Sequence, residues 1–160
     1  MPATTLPLPA TTVGRLFGEL LNRDVLVADS GPTDLADTTG RVRAVYRSGE
    51  RIGAVYLLDV ELAAALAAAL VMLPAGLVRE SASSGQLAPI LGENCFEVLN
   101  VATQLVNRPG GPHHRLVEQI LPGEPTPADV AGLLEAASAR IDLRLSVEGY
   151  GAGVLTVVVR

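Results

Sequence analysis

ARIDLRLSVEGYGAGVLTVVVR, residues 139–160, alternates Ile141, Leu143, Leu145 and Val147 with Asp142, Arg144, Ser146 and Glu148 before a turn and a second apolar run. A period of two puts the first set on a buried face and the second on a wet one, which predicts a hairpin in an antiparallel sheet covered on one side. An earlier stretch, GRVRAVYRSGERIGAVYL at 40–57, has the same build: an Arg, a β-rich run, a turn at Ser48-Gly49-Glu50, and a Gly-Ala start to the second run. Each hairpin follows a helical stretch that carries Glu-x-x-Asn, namely Glu19/Asn22 and Glu97/Asn100. An internal duplication, a helix followed by three strands in each half, would account for both facts; chance likeness of two short hairpins is the alternative.

The helices are read from their apolar spacing. TTVGRLFGELLNR, 11–23, places Val13, Leu16, Phe17, Leu20 and Leu21 on one face. DVLVAD then reads as a short strand, and the acidic residues of the loop after it lack calcium-loop spacing, so they are solvated. LAAALAAALVML, 62–73, is an alanine-rich helix with Asp59 as its cap, ended by Pro74 and Gly76. SASSG reads as part of a polar link. GENCFEVLNVATQLVN, 92–107, reads as a long helix stopped at Pro109. HHRLVEQIL reads as a strand, and Thr126-Pro127 opens a short helix.

On that long helix the polar groups are ordered. Advancing about 100° per residue, Glu93, Glu97, Asn100, Gln104 and Asn107 fall within an arc of about 80°, while Leu91, Cys95, Val98, Leu99, Ala102, Leu105 and Val106 lie opposite. The helix docks by one face and displays carboxylates and amides on the other. A surface helix needs a polar face in any case. Asn100, however, is a poor helix former in mid-helix, and the stripe holds no Arg to neutralise its acids. A Glu and an Asn at i and i+3 can divide labour, the carboxylate anchoring a cation on a partner while the amide orients a water against an electrophile. Phosphoryl hydrolysis, in which positioning supplies much of the catalysis, suits such a pair.

Composition excludes several classes. The chain of 160 residues fits one domain; apolar residues make up 49% of it, aromatics 3%. All twelve basic residues are Arg, so a catalytic lysine, a Schiff base or a phosphate-loop lysine is ruled out. A net charge of −5 argues against nucleic acid or an anionic membrane as the main partner. The single cysteine, Cys95, reads as a small buried hydrophobe and allows no internal disulfide, which makes the cytoplasm the expected compartment. Residues 1–11 resemble no signal peptide and are expected to be a disordered lead into a single domain spanning 12–160. The longest apolar helix is too short to span a membrane. His113 and His114 have no nucleophile motif near them and support no hydrolase of their own.

The order of elements, the strand-into-helix segment GAVYLLDVELAAALAAALVML and the Glu97-x-x-Asn100 helix together resemble the CheC/CheX/FliY family of chemotaxis phosphatases, CheX above all. The resemblance implies an α/β layered (α+β) domain, long helices on an antiparallel β-sheet, and hydrolysis of the aspartyl phosphate of a CheY-like response regulator. It implies that Glu97 contacts the regulator's lysine and Asn100 orients the attacking water, with Glu93, Gln104 and Asn107 as partner contacts. It implies no cofactor of the chain's own, magnesium arriving with the receiver domain, and a homodimer as one form the protein can take. Glu19 and Asn22 would be a degenerate second site, Asn22 reading better as a helix cap. The family pattern has Asp or Ser at the position of Glu93 and often Gly at that of Gln104, which motivates a second reading: a module that binds a receiver domain without turnover.

Overall fold

In a computed structural model that describes residues 3–160, the two hairpins form the middle of one sheet. β3 (Val42–Ser48) and β4 (Arg51–Leu58) are joined by the predicted tight turn, where Gly49 takes a left-handed φ of 62°. β6 (Ala139–Val147) and β7 (Gly151–Val159) form the second hairpin, and β4 lies antiparallel to β7, Tyr56 opposite Val157. β5 (Arg115–Ile120) borders β3, and β2 (Val25–Asp29) borders β6.

The order β2-β6-β7-β4-β3-β5 has a hidden symmetry. Exchanging β2 with β5, β3 with β6 and β4 with β7 reproduces the same order reversed, every pairing antiparallel. α1 (Ala10–Leu21) precedes β2-β3-β4 and α4 (Pro89–Val101) precedes β5-β6-β7. The likeness of the two hairpins is thus matched by a two-fold topology about the β4–β7 seam.

α2 (Val60–Leu70) packs against α1, α4, β6 and β7. From Leu62 to Ala69 every residue is buried, as a helix apolar all round must be. Its alanines let it lie close to the sheet, and Gly153 of β7 completes the fit: a Cβ there would come within 2.8 Å of Leu62 Cβ. Asp59 stands at the helix start, yet its carboxylate makes no cap; it accepts from the Val154 N–H at 2.7 Å and pairs with Arg41. Three further expectations are corrected. The link containing SASSG is mostly helical, α3 (Gly76–Ser84), tucking Val78 and Ser81 against the body.

The lead is not disordered over its described residues either. β1 (Thr4–Thr5) pairs parallel with Ala139 and Arg140, and Leu6 and Leu8 are buried in the main core, because two leucines on a proline-punctuated extended segment find an apolar rim at the sheet edge. Nor is the sheet covered on one side alone. α5 (Ala128–Glu135) lays Val130, Leu133 and Leu134 over Val45, Ile52, Val55 and Leu57, so the central strands are buried on both faces. On β6 the outer face stays polar, as its alternation predicts. Arg43, fully buried on that second face, donates to the carbonyls of Leu121 and Glu124 at 2.7 Å each and to Thr126 Oγ1, tying the loop before α5 to the sheet. Burial lowers its pKa, partly offset by Glu124.

Candidate functional site

α4 starts with Pro89 at a first-turn position, where its missing N–H costs nothing. Its inner face, Leu91, Cys95, Val98 and Leu99, is buried against the core, and burial pushes the Cys95 thiol up to about 12, leaving it without thiolate character. Glu93, Glu97 and Asn100 stand in solvent on the outer face, one helical line of two carboxylates and an amide. Gln104 is exposed below them on a following 3-10 turn, Ala102–Leu105.

The sheet grips the chain on both sides of that change of helix type. The Tyr46 hydroxyl of β3 donates to Leu99 O at 2.6 Å and the Tyr56 hydroxyl of β4 donates to Ala102 O at 2.7 Å. Both rings are fully buried, with centroids 4.2 Å apart. Burial raises both phenol pKa values, which keeps the hydroxyls protonated as donors. The carbonyls they hold bracket Asn100, and the helix end that carries it is bolted to the sheet from below. The tyrosines are legible in retrospect: they occupy the helix-facing alternate positions of the two runs, in a chain with three tyrosines in all.

Asn107 departs from the stripe. The wheel assumed an unbroken α-helix to 107; the 3-10 turn and the loop after it break the register. The Asn107 amide is engaged inward instead, Oδ1 accepting from the His114 N–H at 2.7 Å and Nδ2 donating to His114 O at 3.0 Å, which sets the return into β5. The buried His114 ring has its Nδ1 3.2 Å from the same Oδ1, and burial lowers its pKa.

Beside the stripe the structure adds a feature that spacing alone did not show. Gln119 of β5 donates from Nε2 to Gly92 O at 2.9 Å, and a shallow depression bounded by Glu93, Phe96, Glu97, Gln119 and Leu121 opens next to the carboxylates. A long cationic side chain entering there would meet both acids.

At the related helix the same letters are built differently. Glu19 is exposed on the last turn of α1, but Asn22 is the C-cap, left-handed at φ 52° and ψ 47°, its N–H bonded to Gly18 O. The expected cap role is the one the structure gives.

No family model matches the sequence, and no curated protein matches it. Solved structures do match in fold. The chain is similar to the FliM middle domain of H. pylori (TM-score 0.62, 10% identity, 94% of this chain and 84% of the other), to FliY of Thermotoga maritima (0.51, 16%, 96% and 90%) and to the CheX–CheY–BeF3–Mg complex of Borrelia burgdorferi (0.50, 14%, 91% and 91%). The fold is therefore the one shared by these domains, an α/β layered arrangement of helices packed on a sheet. No helix among the described residues is long and apolar enough to cross a membrane.

Proposed function

We propose that this protein accelerates hydrolysis of the aspartyl phosphate on a CheY-like receiver domain in a chemotaxis or related two-component pathway. The observation that carries the reading is the exposed line Glu93–Glu97–Asn100 on a helix whose end is fixed by two buried tyrosine hydroxyls. Glu97, with Glu93 beside the depression, anchors a cationic side chain of the receiver. The Asn100 amide, with donor and acceptor at one tip, holds a water in line with the phosphorus. Water attacks, the P–O bond to the aspartate breaks, and the carboxylate leaves with inorganic phosphate as product. Magnesium is assigned to the receiver domain: it neutralises charge on the phosphoryl oxygens when bound. The displayed stripe, two carboxylates and two amides, includes no third acid to hold such an ion, and among the described residues no cluster of three ligating side chains forms elsewhere. The presence of a CheX–CheY complex among the similar folds supports a receiver as partner.

The test is the decay of a phosphorylated cognate receiver with and without the protein. Acceleration by the native chain and its loss in Asn100→Ala support the reading; equal decay with both variants overturns it.

A second reading, a binding module without turnover, is favoured by the exposed Gln104 below Asn100 and by the higher TM-score toward the FliM middle domain, a protein also solved in complex with FliG. It expects the receiver to bind while its phosphoryl lifetime stays the same or lengthens.

A further inference from the structure

Where the β3–β4 turn, the end of β7 and the loop after the 3-10 turn meet, a cavity of about 410 Å3 opens, lined by none of the stripe residues. Ile52, Leu105, Val106 and Val159 give it an apolar interior, and Leu6 of the N-terminal strap closes one side. Its size falls in the roughly 300–1,000 Å3 range of small-molecule sites.

One wall is the His114 ring, and that wall is built into the backbone. The ring lies directly over Gly53: a Cβ at that position would stand 2.3 Å from His114 Nε2. Asn107 holds the ring from its other side. Glycine at 53 and the inward-turned Asn107 thus shape the cavity, which gives both residues a role outside the stripe.

The charged side chains on the lining are all of one sign. Arg51 and Arg108 are exposed at the mouth, Arg160 joins them, and no acidic side chain is among the lining residues. Among the described residues the ion pairs are Arg41–Asp59, Arg47–Asp129 and Arg140–Asp142, so none involves Arg51 or Arg108. Two carbonyls on the strand edge at the cavity are already engaged: Gly53 O accepts from the Arg160 N–H at 3.0 Å and Ile52 O from Arg160 Nε at 2.9 Å. A peptide would need a free strand edge to pair with, and these groups offer none.

We propose that the cavity binds a small amphipathic anion, a compact apolar body carrying one carboxylate that meets Arg51 and Arg108 at the mouth. The apolar part is drawn in by burial, and the charge-assisted hydrogen bonds select the sign of the head group.

Decanoate, below its micellar concentration, tests this on the full chain by amide chemical-shift titration, with decylamine as the same body of opposite charge. The expected result is saturable shifts centred on Gly53, Val106, His114 and Val159 with decanoate and none there with decylamine. Arg51→Ala/Arg108→Ala, both at exposed positions, should weaken decanoate by roughly tenfold or more while leaving the spectrum folded. Gly53→Ala, which drives the His114 ring from its seat, should also lower affinity; because that variant can unfold, the arginine pair is the deciding one. Equal binding of decylamine, unchanged affinity in the arginine variant, shifts confined to other surfaces, or no decanoate binding would each overturn the proposal.

Discussion

The two Glu-x-x-Asn helices lie at related positions of one two-fold topology, and the same spacing has become two different objects. In α4 the Asn is helical and exposed, and the carbonyls on either side of it are held by Tyr46 and Tyr56. In α1 the Asn is the residue at which the helix stops, its backbone turned left-handed. The spacing is shared; the backbone under it is not. A short motif specifies chemistry only when the element that carries it continues through the motif and is fixed to something rigid.

The sharpest way to break this comparison is a matched pair of substitutions. Asn100→Ala should lower the acceleration of receiver dephosphorylation by about 100-fold, the scale on which lost positioning acts, without unfolding the protein. Asn22→Ala should leave that rate unchanged. Equal losses in the two, read from the decay of the phosphorylated receiver, would make the helices functionally equivalent and sink the contrast.

Next in size is the support beneath Asn100. Tyr46→Phe and Tyr56→Phe each leave a helix-end carbonyl buried without its donor, and each should cost about 1–3 kcal/mol in urea denaturation. Dephosphorylation should fall with them, although neither tyrosine touches the receiver. A stability loss with full activity would show that Asn100 is positioned without this support.

The outer face of the sheet offers a smaller, pH-dependent effect. Burial alone would raise the Asp142 pKa, but hydrogen bonds from Arg140, the Thr33 N–H and Thr156 outweigh it, and the net shift is downward from 3.8. The folded pKa lies below the unfolded one, so this contribution is present above about pH 4 and is lost as pH falls through the folded value. Asp142→Asn should flatten that acid limb in pH-dependent thermal melts; an unchanged limb would count against the network.

Smallest is Asn22→Gly. Glycine accepts the left-handed geometry freely, so at position 22 the Gly variant should be at least as stable as the Ala variant, whereas at position 100, in a helical backbone, Gly should be about 1 kcal/mol less stable than Ala. Chemical denaturation of the two distinguishes a cap from a helix interior.

Much of the fold was legible because periodicity reports burial directly. Both hairpins, the apolar side of α4 and the stripe Glu93–Glu97–Asn100 followed from spacing, and the likeness of the two hairpins pointed to the two-fold topology now seen in the strand order. What spacing misjudged shares one cause. Asn107 left the line because a 3-10 turn follows Val101, and the N-terminal segment is ordered because Leu6 and Leu8 have an apolar edge to cover. The second covered face, under α5, escaped notice because a strand buried on both sides loses its alternation.

By itself, then, the sequence determined the layers, the single-domain scale, the absence of lysine chemistry and the displayed acid-and-amide face, since these depend on composition and local period alone. Tertiary structure alone decided which Glu-x-x-Asn is a rigid display and which a helix cap, where the helix ends, and how His114 comes to lie on Gly53. Those depend on contacts between residues far apart in the chain, Tyr46 with Leu99 and Tyr56 with Ala102, whose partners no local pattern names.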